Sequence, residues 1–137
     1  MQNDATTFGL AFVGFALLAT DAARRWHGHR STTLTRTTAL VVLAHVACVW
    51  AFRFDLSFAA MWSKSLFGFV LFHTALLLIV AAVFARDPRR DWFVWSAFAI
   101  VSAGALPAPF RYPEIAVLQI PVLAVFATAV GYALRRR

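Results

Sequence analysis

Five apolar runs, separated by short connections that hold most of the charge, leave this chain few ways to fold. They cover residues 7–26, 37–54, 64–85, 92–106 and 114–134. A helix needs roughly 20 apolar residues to cross a bilayer, so five crossings consume most of the 137 residues. Only 14% of the residues are charged, against about 25% in ordinary soluble domains. The expectation is an all-α integral membrane protein, one transmembrane domain over residues 1–137 built as a five-helix bundle. No length remains for a soluble catalytic domain.

The distribution of charge orients the bundle. The formal charge is +7, which by itself would suit nucleic acid binding. Ten of the 13 basic residues, however, fall in three clusters: Arg24, Arg25, Arg30 and Arg36; Arg86, Arg89 and Arg90; and Arg135, Arg136 and Arg137. The other three, Arg53, Lys64 and Arg111, lie in the alternate connections. Basic residues beside span ends mark the cytoplasmic face, so the pattern predicts an outside N-terminus, a cytoplasmic C-terminus and no nucleic acid partner. The first run follows Asp4 with no basic residue before it, so it is read as a retained span and not as a signal peptide. A bacterial inner membrane is the expected location.

Individual residues give local expectations. Asp21 precedes Arg24 and Arg25 by three and four positions, the spacing of a local ion pair on one helical face. Asp91 follows Pro88 in a tight turn and is expected to cap the fourth helix. That helix is short, since 15 residues rise only about 22 Å, and Pro107, Pro109 and Pro113 are expected to end it. Gly9, Ala11, Gly14 and Ala16 offer a neighbouring helix a close approach. The connection at 55–63, with Phe58, Met61 and Trp62, reads as an aromatic anchor in the interface. Ser96, Ser102 and Thr128 are expected to bond to their own helix carbonyls, and Gln119 to face a cavity beside Pro121. Arg53, Asp55, Lys64, Arg111 and Glu114 would form an outer charged rim.

Two intramembrane histidines carry what chemistry the sequence offers. His45 and His73 sit on consecutive antiparallel spans, each about 12 to 14 Å from the outer end at 1.5 Å per residue. Ionisable groups at that depth mark candidate sites. The leading reading is structural: neutral imidazoles bonded to each other, to Thr74 or to a helix carbonyl. A b-type haem with His45 and His73 as axial ligands is the first functional reading. It requires helices further apart than the 8 to 10 Å or so of direct packing. A quinone pocket, with a histidine donor and aromatic walls such as Phe69, Phe72 or Trp50, is the second. A metal site formed by His45, Cys48 and His73 is the third; the pair His45 and Cys48 shares a face, and soft sulfur with imidazole suits copper or zinc. Cys48 is the only cysteine, so the chain has no internal disulfide. His27 and His29 read as solvated loop residues.

No nucleophile with its base, paired carboxylates, phosphate loop or zinc-protease motif occurs, so the chain alone is not expected to be an enzyme. The expected function is an accessory or structural subunit of a larger inner-membrane complex, linked to electron transport through the histidine pair. Its partners would be the lipid bilayer and other membrane subunits. The competing class is a small transporter or channel-like protein acting as a homo-oligomer.

Overall fold

A computed structural model describes residues 2–64, 66–111 and 113–135. The side chains of Gln2, Asn3, Asp4, Lys64 and Glu114 lie outside that description, as do residues Arg136 and Arg137. The Lys64 and Glu114 positions of the expected rim, and two residues of the terminal arginine cluster, therefore fall outside it.

The helices are α1 (Gln2–Trp26), α2 (Thr32–Arg53), α3 (Phe58–Lys64), α4 (Leu66–Phe84), α5 (Arg89–Ala105), α6 (Ala108–Arg111) and α7 (Gln119–Leu134), with a 3-10 segment at Pro113–Leu118. Five stretches are long and apolar enough to cross a membrane: Ala5–Trp26, Thr32–Arg53, Leu66–Phe84, Arg89–Arg111 and Ile115–Leu134. The chain is an all-α, integral membrane protein.

The fourth span is longer than the sequence suggests. It begins at Arg89, three residues before the expected start. Leu106 stays in right-handed helical geometry, and the path continues through α6 to give 23 residues, or about 34 Å. Helix α5 itself ends at Ala105, with Leu106 as its C-cap just before Pro107, as the prolines predict. The apolar path continues through α6 because a proline at the start of a new turn removes only an N–H that lacks a partner anyway. The same logic applies to Pro121, which lies in the first turn of α7. The expected outer loop is also partly helical: Ser57 Oγ accepts from the Ala60 N–H at 3.3 Å, capping α3.

Turn chemistry fixes the α1–α2 connection. Gly28 has φ +79°, and the Gly28 and His29 N–H groups return to the Arg25 and Arg24 carbonyls at 2.9 and 3.0 Å. That is the Schellman arrangement, which places a residue in left-handed geometry where glycine is least strained. Ser31 then caps α2, its Oγ accepting from the Leu34 N–H at 3.2 Å.

Packing depends on small residues. Eight of the fifteen buried apolar residues among those described are alanine, which lets backbones approach where lipid removes the hydrophobic drive between helices. Leu18 and Ala22 of α1, Ala39 of α2, Ile79 and Ala82 of α4, and Val94 and Ala97 of α5 form the main core. Ala19 and Ala23 hold Ala129 of α7 on another side of α1. A Cβ at Gly14 would sit 3.2 Å from Val42, so that glycine serves the α1–α2 approach. Gly9 meets nothing within 4 Å. The large side chains point outward, Leu40, Phe67, Leu77, Val117 and Ile120 among them, as a lipid-facing surface requires.

Candidate functional site

Polar groups collect at both ends of the bundle, and their hydrogen-bonding state separates structure from candidate chemistry. At the end where α1 stops and α5 begins, Arg25 is buried, with its side chain 0% exposed. Its Nε donates to Asp21 Oδ1 at 2.8 Å, Nη1 to Asp91 Oδ1 at 2.6 Å, and Nη2 to Thr35 Oγ1 at 2.7 Å. Thr35 Oγ1 donates in turn to Asp21 Oδ2 at 2.7 Å. Arg30 Nε and Nη2 reach Asp91 Oδ2 at 2.9 and 2.7 Å, and Asp91 holds the Arg30 guanidinium above its ordinary pKa.

Arg90 completes this end. It donates to the Ala82 and Ala85 carbonyls at 2.9 and 2.6 Å and to Thr32 Oγ1 at 3.0 Å. A cation is thereby set on the last turn of α4, where the helix dipole is negative. Asp87 lies 3.5 Å from Arg25 and 4.0 Å from Arg30 and Arg90. Three guanidinium groups thus face three carboxylates, tying α1, α2, α4 and α5 together. Every nitrogen of Arg25 is committed, which leaves no donor for a substrate. The cluster holds the fold.

The sequence anticipated the Asp21–Arg25 pair, but not its reach. Asp91 is not a helix cap: the residue in that position is Pro88, without a side-chain cap bond, and the Asp91 carboxylate is occupied by Arg25 and Arg30. His27 stays in the loop and partly exposed, but it has a partner that was not expected. Its Nε2–H donates to the Tyr132 carbonyl at 2.7 Å and its ring meets Tyr132 edge-on at 4.7 Å, fastening the end of α7. Gln119 donates to the Pro109 carbonyl at 3.0 Å instead of facing a cavity. Ser102 Oγ is buried without a hydrogen-bond partner, contrary to the expected bond to its own helix.

In the opposite half of the bundle, within the spans, the two histidines have separate surroundings. His45 Nδ1 lies 3.0 Å from the Thr7 carbonyl, linking α2 to α1. His73 Nδ1 lies 2.7 Å from the Phe69 carbonyl one turn earlier in α4. A carbonyl only accepts, so Nδ1 carries a proton in both rings, which makes Nε2 the acceptor of the uncharged tautomer. The histidines engage backbone carbonyls and not each other, which is one form of the structural reading. Among the described residues no group of three or more His, Cys, Asp and Glu is gathered closely enough to hold a metal ion.

His73 has the more distinctive environment. Its ring stacks on Phe69 at 4.0 Å and meets Trp50 of α2 at 6.1 Å. Phe58 and Trp62 of α3 each meet Phe69 at 5.3 Å, and Phe58 lies 6.3 Å from Trp50. Within this aromatic cluster, His73 Nε2 and Trp50 Nε1 are both buried without a hydrogen-bond partner. One is an acceptor and the other a donor. Two of the aromatic walls expected for a quinone, Phe69 and Trp50, are therefore beside His73, whereas Phe72 turns toward Gly104 of α5. The α3 aromatics were not anticipated as part of a site, because their approach depends on how α3 folds back.

No protein-family model, curated protein or solved structure matches this chain.

Proposed function

We propose that this protein is an accessory subunit of a larger, redox-linked membrane assembly, and that it contributes a binding site for a quinol headgroup at His73 and Trp50. The supporting observation is the pair of buried, unpartnered nitrogens. An unmade hydrogen bond at a buried polar group costs about 1 to 3 kcal/mol. A single quinol hydroxyl removes both deficits, because it accepts from Trp50 Nε1–H while donating to His73 Nε2. Phe58, Trp62 and Phe69 supply aromatic surface for the ring, and an isoprenoid tail would lie in the surrounding lipid.

A b-type haem between His45 and His73 has less support, since α2 and α4 pack directly on each other and two axial imidazoles require the iron between them. The arginine-rich end is proposed to face the cytoplasm of a bacterial inner membrane, following the positive-inside rule. The subunit role follows from short connections and the lack of a catalytic constellation.

The test is titration of the detergent-purified protein with a short-chain quinol, followed by tryptophan quenching. His73→Ala and Trp50→Phe should each weaken binding about tenfold, the loss of one hydrogen bond worth about 1.4 kcal/mol. Unchanged affinity in both variants defeats the site. Purification in mild detergent should retain partner subunits, while a lone homo-oligomer that transports solutes in liposomes would favour the transporter class.

A further inference from the structure

The α4–α5 turn borders a groove of about 780 Å³ that the histidine site does not use. Part of its lining is basic: Arg86 and Arg89 are exposed, and neither has an ion-pair partner among the described residues. Another part is apolar, formed by Ala81, Phe84 and Phe93. Phe84 is 82% exposed although it ends a membrane span. Asp87 also borders the groove, but its carboxylate lies within 4.0 Å of Arg25, Arg30 and Arg90. That neighbourhood neutralises it, so the two free guanidinium groups set the local sign.

We propose that this groove binds one anionic phospholipid, with the headgroup phosphate against Arg86 and Arg89 and an acyl chain along Phe84, Phe93 and Ala81. Charge complementarity argues for the phosphate, because two basic side chains without a carboxylate partner attract an anionic headgroup at the membrane surface. The presence in the same lining of an exposed phenylalanine that ends a span argues for a lipid over a free anion. Arg90, next in sequence, takes no part, since its nitrogens are spent on the Ala82 and Ala85 carbonyls and Thr32.

Native mass spectrometry of the full chain tests this, using dioleoyl phosphatidylglycerol, dioleoyl phosphatidylcholine and inorganic phosphate as probes. One phosphatidylglycerol should be retained in preference to phosphatidylcholine. Arg86→Gln/Arg89→Gln should weaken that retention roughly 30-fold, equivalent to about 1 kcal/mol per arginine. Phe84→Ala, which removes an outward side chain without altering charge, should weaken it several-fold. The charge-preserving pair Arg86→Lys/Arg89→Lys controls for folding and orientation and should stay within a few-fold of the parent. Equal retention of the two lipids, indifference to the Gln pair, or a loss in the Lys pair as large as in the Gln pair would overturn the proposal. Displacement of phosphatidylglycerol by inorganic phosphate, with no effect of Phe84→Ala, would overturn the lipid as its occupant.

Discussion

Arg25 and Asp91, 66 positions apart, share a 2.6 Å charge-assisted hydrogen bond that joins the end of the first span to the start of the fourth. Because Arg25 also holds Asp21 and Thr35, one guanidinium determines how α1, α2 and α5 meet.

Removing that guanidinium should be much more damaging than removing its exposed neighbour. Arg25→Met strands the buried Asp21 carboxylate, leaves Asp91 with Arg30 alone, and should cost about 3 to 5 kcal/mol, the range for breaking a buried pair. Arg30 is 47% exposed, so Arg30→Gln should cost far less, as exposed ion pairs add little. Thermal unfolding in detergent micelles, followed by circular dichroism, compares the two. Equal losses would show that Arg25 is not the organising charge.

Ser102 makes the opposite prediction. It is 5% exposed and its hydroxyl lacks a partner, so Ser102→Ala should stabilise the protein by about 1 kcal/mol by removing an unsatisfied group. A loss of stability in the same assay would mean that the hydroxyl has a partner in the membrane-embedded protein.

The α4–α5 contact should be sensitive to side-chain volume. A Cβ at Gly104 would come 2.6 Å from Phe72 Cζ, so Gly104→Leu should cost about 1 to 3 kcal/mol through overpacking. Adding Phe72→Ala should recover part of that loss, giving a coupling of about 0.5 kcal/mol or more in a double-mutant cycle. Strict additivity would indicate that the ring moves aside freely.

Orientation can be read from cysteines placed at His29 and Ala59 in a Cys48→Ser background. Both positions are exposed, and neither supplies a helix cap. An impermeant thiol reagent should label them from opposite sides of the membrane, with the His29 position reacting from the cytoplasmic side. Labelling from the same side would refute the odd-span orientation.

The sequence by itself determined the class of fold and the number of crossings, because hydrocarbon thickness and backbone hydrogen bonding allow an apolar run of this length only one regular spanning form. It also identified the short-range pair Asp21 and Arg25, since helical periodicity places residues four apart on one face. The polar contacts between spans were not legible in it. Whether Asp91 caps its own helix or receives Arg25 from another depends on the rotation of α5 against α1. Whether His73 meets His45 or Trp50 depends on how α4 turns against α2 and how α3 folds back. Those rotations are set by where alanine and glycine permit close approach, a property of facing surfaces that no single span contains. Tertiary packing therefore decided which ion pairs closed and which two nitrogens were left unpaired, and the candidate site consists of that remainder.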